Sequence, residues 1–96
     1  MEKIWLAEYK KTGIPETVTL PAENTSLVDI FERNFQKYGS KDAFIFMDKT
    51  LSFNELEVAS RKFATYLQSL GLAKGTRVAV MMPNVFQYPV VALGIF

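Results

Sequence analysis

Apolar residues recur at spacings of three and four from Leu27 to Tyr38 and again from Phe53 to Leu70, and these two stripes predict two amphipathic helices. In the first, Leu27, Ile30, Phe31, Phe35 and Tyr38 share a face, while Glu32, Arg33, Gln36 and Lys37 fall opposite. Ser26 stands at the N-cap, where its hydroxyl can accept from the backbone N–H of Asp29, and Asp29 places negative charge in the first turn. Gly39 fits the left-handed position that closes many helices. In the second helix, Ser52-Phe53-Asn54-Glu55 forms a capping box, with hydroxyl and carboxylate satisfying each other's backbone N–H. Phe53, Leu56, Ala59, Phe63, Tyr66, Leu67 and Leu70 carry the apolar stripe, Glu57, Arg61, Lys62 and Gln68 the polar face, and Gly71 the end.

Two segments read as β-structure. Ala43-Phe44-Ile45-Phe46-Met47 followed by Asp48-Lys49 and Leu51-Ser52 predicts a hairpin around residues 48–50, its successive aromatic and branched side chains pointing to burial on both faces. After a Lys74-Gly75-Thr76 loop, Arg77 to Met82 is almost continuously apolar, the pattern of a strand buried inside a parallel sheet. Strand, helix and strand with short connectors then make a βαβ unit with a right-handed crossover. Pro83-Asn84 stops the strand, and Val85 to Phe96, polar only at Gln87, predicts a last helix whose start is set back by Pro89 and whose faces all need cover. Residues 1–24 read as an extended N-terminal arm, because Lys10, Lys11, Gly13, Pro15 and Pro21 interrupt the Ile4, Trp5, Leu6 and Tyr9 cluster. The expected fold class is α/β: arm, helix, hairpin, βαβ unit and final helix, with residues 25–96 forming an incomplete α/β subdomain.

Composition narrows the chemistry. At 96 residues the chain makes one small domain, with a core drawn from eight Phe, four Tyr and one Trp. Eleven Lys and Arg against ten Asp and Glu leave a net charge of +1, so no global field favours nucleic acid. Cysteine and histidine are absent, which removes thiol nucleophiles, imidazole bases and the usual zinc ligands. The N-terminus has no apolar run of signal-peptide length and no window is long enough to span a bilayer, so the expected location is the cytoplasm. Trp5 and Tyr9 beside Lys3, Lys10 and Lys11 make the arm a candidate for peripheral contact with the inner membrane, against the plainer reading that the rings dock on the protein itself.

Three places are candidate sites. Gly71, Gly75 and Thr76 have the residue types of a phosphate loop, but such loops follow a strand and open a helix, and here the order is reversed. Asp48 with Glu55 or Glu57 could form an acid and base pair, although all three fall at a turn or on a polar helix face. Asn84 follows the expected strand at its C-terminal end, where ligands bind in open α/β folds, with helix N-cap as the alternative role.

Leu51-Ser52-Phe53-Asn54-Glu55-Leu56, Gly75 to Asn84 ending in Met81-Met82-Pro83-Asn84, Gln87-Tyr88-Pro89 and Gly94-Ile95-Phe96 together resemble the opening of the adenylate-forming acyl-CoA synthetases. Ser26-Leu27-Val28-Asp29, Ala43-Phe44 and the Trp5-Leu6 arm are similar to those of the bacterial long-chain-fatty-acid CoA ligases. The resemblance implies a parent that activates a fatty acid with ATP and Mg2+ to an acyl-adenylate and passes the acyl group to coenzyme A. It also implies that the family's Thr/Ser/Gly-rich phosphate loop ending in Lys-Gly, its ribose-binding Asp and its catalytic Lys lie further along. None matches a position here, so no catalytic, cofactor-binding or metal-binding residue is carried over. The expected role is a scaffold fragment, inactive by itself. The alternatives are an assembly module that forms homodimers or larger assemblies through uncovered apolar faces, and the opening of an adenylate-forming ligase for another carboxylate. A stand-alone binding protein lacks polar groups converging on a pocket.

Overall fold

The computed structural model describes residues 1–19 and 25–96. Its elements run α1 (Leu6–Thr12), α2 (Leu27–Tyr38), β1 (Asp42–Phe46), β2 (Lys49–Ser52), α3 (Phe53–Ser69) and α4 (Gln87–Ile95), a small α/β arrangement.

The N-terminal segment corrects the expectation of an extended arm: its apolar cluster lies at the start of a seven-residue helix. Glu8 and Lys11 pair at 2.7 Å one turn apart, and the Thr12 hydroxyl donates to the Glu8 carbonyl at 3.0 Å. Gly13, at φ 72°, closes the helix in the left-handed conformation, with its N–H facing the Lys10 and Tyr9 carbonyls. Lysines that look like interruptions therefore occupy the last turn, where they suit the helix dipole. Pro21 lies outside the described residues.

Helix α2 begins as expected. Asp29 N–H donates to Ser26 Oγ at 3.1 Å, and Ser26 N–H donates to Asp29 Oδ2 at 3.0 Å. Its C-terminus differs from the expected cap, because Gly39 is right-handed at φ −47°, ψ −41°. A close approach requires glycine there instead: a Cβ at residue 39 would overlap Asn54 Oδ1 and lie 2.9 Å from the Phe35 carbonyl oxygen. At the same junction Asn54 N–H donates to the Gly39 carbonyl at 2.9 Å and Phe53 N–H to the Lys41 carbonyl at 3.0 Å. Donors of the first turn of α3 are thus met by the loop that follows α2.

Strands β1 and β2 pair antiparallel, with Phe46 opposite Lys49, Ile45 opposite Thr50 and Phe44 opposite Leu51, and an irregularity follows towards Asp42. Met47 and Asp48 form the two-residue turn at φ 47° and 61°, the left-handed pair that matches strand twist, achieved without glycine. Burial on both faces is not found: Phe44 and Phe46 stay substantially exposed and Ile45 is 72% exposed. A sheet of two strands has no further layer to close over its second face.

The capping box at Ser52 and Glu55 forms with both hydrogen bonds, and α3 runs unbroken for 17 residues. Its stripe contributes to the core: Leu56 of α3 is 1% exposed and Phe35 of α2 is 7% exposed. Phe53 brings its ring to 6.5 Å from Phe35 and 6.3 Å from Tyr38, tying the two helices at their near ends. Ser60, also buried, satisfies its hydroxyl by donating to the Glu57 carbonyl at 3.0 Å. Gly71 then ends the helix at φ 73°.

Helix α4 packs along α3 at closest range through Gly94, where a Cβ would come within 2.8 Å of Phe63 Cδ1 and 3.0 Å of the Ser60 carbonyl oxygen. It starts at Gln87 behind Phe86, with no side-chain cap, so Asn84 is not its N-cap; Pro89 falls within the first turn, where the missing N–H costs nothing. The expected strand over Arg77–Met82 is absent, and with it the βαβ unit. Most of this segment is exposed, Met81 at 97%, and β1 and β2 pair only with each other. A parallel strand is held by ladders to its neighbours, and among the described residues none is present.

Candidate functional site

The candidate site residues take separate structural roles along the chain. Gly71 and Gly75 are both left-handed, at φ 73° and 88°, and serve turns: Gly71 N–H donates to the Gln68 carbonyl at 3.0 Å and Thr76 N–H to the Ala73 carbonyl at 3.1 Å. The Gly71 N–H closes the C-terminal end of α3, which carries the negative end of the helix dipole, and the Thr76 N–H closes a turn in the loop beyond it, so neither is offered to a nucleotide phosphate at a helix N-terminus. Asp48 sits in the hairpin turn, Glu55 Oε2 accepts the Ser52 N–H at 2.9 Å, and Glu57 Oε1 accepts from Arg61 at 3.1 Å. The structure does not bring these three carboxylates together as an acid and base pair. Among the described residues no group of three or more Asp or Glu is placed to hold a metal ion.

Asn84 is exposed in the bend before α4 and borders a cleft of about 220 Å³ with Phe44, Phe46, Phe86, Tyr88 and Pro89. Phe46 and Phe86 meet there edge to face, with ring centroids 6.0 Å apart. A second cleft, of about 190 Å³, opens between α2, α3 and α4, with Val28, Phe31, Phe35, Ala64 and Leu93 as its apolar walls. At its rim Arg61 Nη2 reaches Glu57 at 3.1 Å and Glu32 at 3.3 Å, linking α3 to α2. A third cleft, of about 420 Å³, runs between the end of α3, the loop over residues 72–78 and the end of α4.

Among the described residues, Asp29 and Arg61 are displaced from their ordinary titration. Asp29 is held below its ordinary value of 3.8, first by the Ser26 backbone N–H it accepts and then by the Ser26 hydroxyl. Arg61 is raised, chiefly by its hydrogen bond and charge pairing with Glu57 and less by Glu32. Asp29 caps the start of α2, and Arg61 pairs α3 with α2. Sequence reasoning missed the Arg61–Glu32 link and the close seat of Gly94. The i,i+4 spacing of Glu57 and Arg61 is legible in the chain, whereas Glu32 lies 29 residues away and only the packing of α2 on α3 brings it near.

Comparisons with known proteins find relatives over nearly the whole chain. The family model for AMP-binding enzymes matches residues 31–96. The chain is 47% identical, over 99% of its length, to a long-chain-fatty-acid--CoA ligase of Escherichia coli O6:H1. It is 41% identical over 86% of its length to the Bacillus subtilis protein of that name, and 30% identical over 98% to the 4-coumarate--CoA ligase-like 1 of Arabidopsis thaliana. It spans only 17% of the Escherichia coli relative and 14% of the Bacillus one. No solved structure matches the chain. With the family model covering 31–96 and similarity running nearly end to end, the chain belongs to the AMP-binding enzyme family.

Proposed function

We propose that these 96 residues are opening scaffold of a ligase that activates a long-chain fatty acid with ATP to an acyl-adenylate and transfers the acyl group to coenzyme A, and that they have no activity alone. The observation that supports it most is the contrast in identity: 47% to a long-chain-fatty-acid--CoA ligase against 30% to a 4-coumarate--CoA ligase-like protein over nearly the same span. ATP, Mg2+ and coenzyme A are engaged by other parts of such an enzyme, in keeping with turn glycines and carboxylates here that are occupied in capping and helix pairing. Sequencing the reading frame past Phe96 tests this. Continuation into a glycine-rich Thr/Ser loop ending in Lys-Gly is expected, and a stop codon directly after Phe96 overturns it.

Peripheral membrane contact from a cytoplasmic location belongs to the same proposal. Trp5 is 46% exposed at the start of α1, with Lys10 and Lys11 in its last turn, while Leu6 and Tyr9 are half-buried. No helix among the described residues is long and apolar enough to cross a membrane. Failure of the chain to sediment with anionic liposomes removes this part. A second reading, self-association into a homodimer, is favoured by the exposed apolar segment around Val78 and Met81 and by Phe96. A light-scattering mass of one chain at high concentration contradicts it.

A further inference from the structure

We draw no further inference here: the strongest candidate, the apolar cleft between α2, α3 and α4 walled by Phe31, Phe35 and Leu93, carries nothing because nothing in the structure shows what covers it.

Discussion

The side chain of Asn54 fills the space that a Cβ on Gly39 would need, and the two residues are joined by the hydrogen bond from Asn54 N–H to the Gly39 carbonyl at 2.9 Å. This contact sets how α2 hands over to the loop before β1 and how α3 starts beside it. With φ −47° and ψ −41°, the backbone itself would accept alanine, and alanine there would stabilise by about 0.5 kcal/mol through the unfolded chain. Overlap with Asn54 and the Phe35 carbonyl, at 2.9 Å, costs about 1–3 kcal/mol and wins. Gly39→Ala therefore lowers the urea midpoint, and adding Asn54→Ala recovers part of the loss. A midpoint raised by Gly39→Ala alone contradicts the contact.

Gly94 obeys the same reasoning at the α3–α4 seat. Alanine in an open helix gains about 1 kcal/mol over glycine. Here its Cβ meets the Phe63 ring at 2.8 Å and the Ser60 carbonyl oxygen at 3.0 Å, so α4 is pushed away from α3. Gly94→Ala is expected to speed protease cleavage within residues 71–83, read by mass spectrometry of the fragments. Slower cleavage in the variant shows that α4 is not seated through Gly94.

Leu56 has the least exposed side chain in the described structure. Removing a buried leucine side chain costs about 2–5 kcal/mol, depending on how far the cavity collapses. With so few side chains fully buried, Leu56→Ala takes away a large share of what holds α3 to α2 and the hairpin. Loss of the cooperative thermal transition by circular dichroism is the expected result, whereas Leu56→Met keeps it. An unchanged transition in Leu56→Ala places the core elsewhere.

Acid stability carries the signature of Asp29. Its pKa in the fold lies below its ordinary value of 3.8, so the carboxylate contributes stability above that value and loses it as the pH falls through the depressed folded value. A carboxyl-detected NMR titration is expected to place the Asp29 midpoint below 3.8 in the wild type and to move it upward in Ser26→Ala. Alanine keeps the backbone N–H that contributes most, so a midpoint that does not move shows that the Ser26 hydroxyl does not help to hold the carboxylate down.

How much was legible in the chain depended on how local the signal was. The capping box at Ser52, the N-cap at Ser26, the position of the hairpin and the end of α3 at Gly71 follow from contacts within a few residues, and all are present; the return bond from Ser26 N–H to Asp29 goes beyond what the residue types suggest. Helix α1 was hidden because Lys10 and Lys11 break the apolar period while serving as last-turn cations, one of them paired with Glu8. Arg77 to Met82 carries the composition of an inner strand, but a strand is completed by ladder partners, and β1 and β2 are paired only to each other. Residue type alone suggests a left-handed cap at Gly39, whereas the need for glycine there comes from the close approach of Asn54, fifteen positions on. Asn84 followed from the expected strand, and without that strand it borders an aromatic cleft instead. The dispersal of the remaining site candidates follows from capping and turn roles that were themselves readable in the sequence.

Substrate-dependent ATP–pyrophosphate exchange tests the central claim most directly, measured on the product of the reading frame that carries these residues and, in parallel, on the 96-residue chain. Exchange that depends on a long-chain fatty acid in the first sample and is absent from the second is the predicted result. Exchange driven only by an aromatic acid, or any exchange by the 96-residue chain itself, contradicts the account.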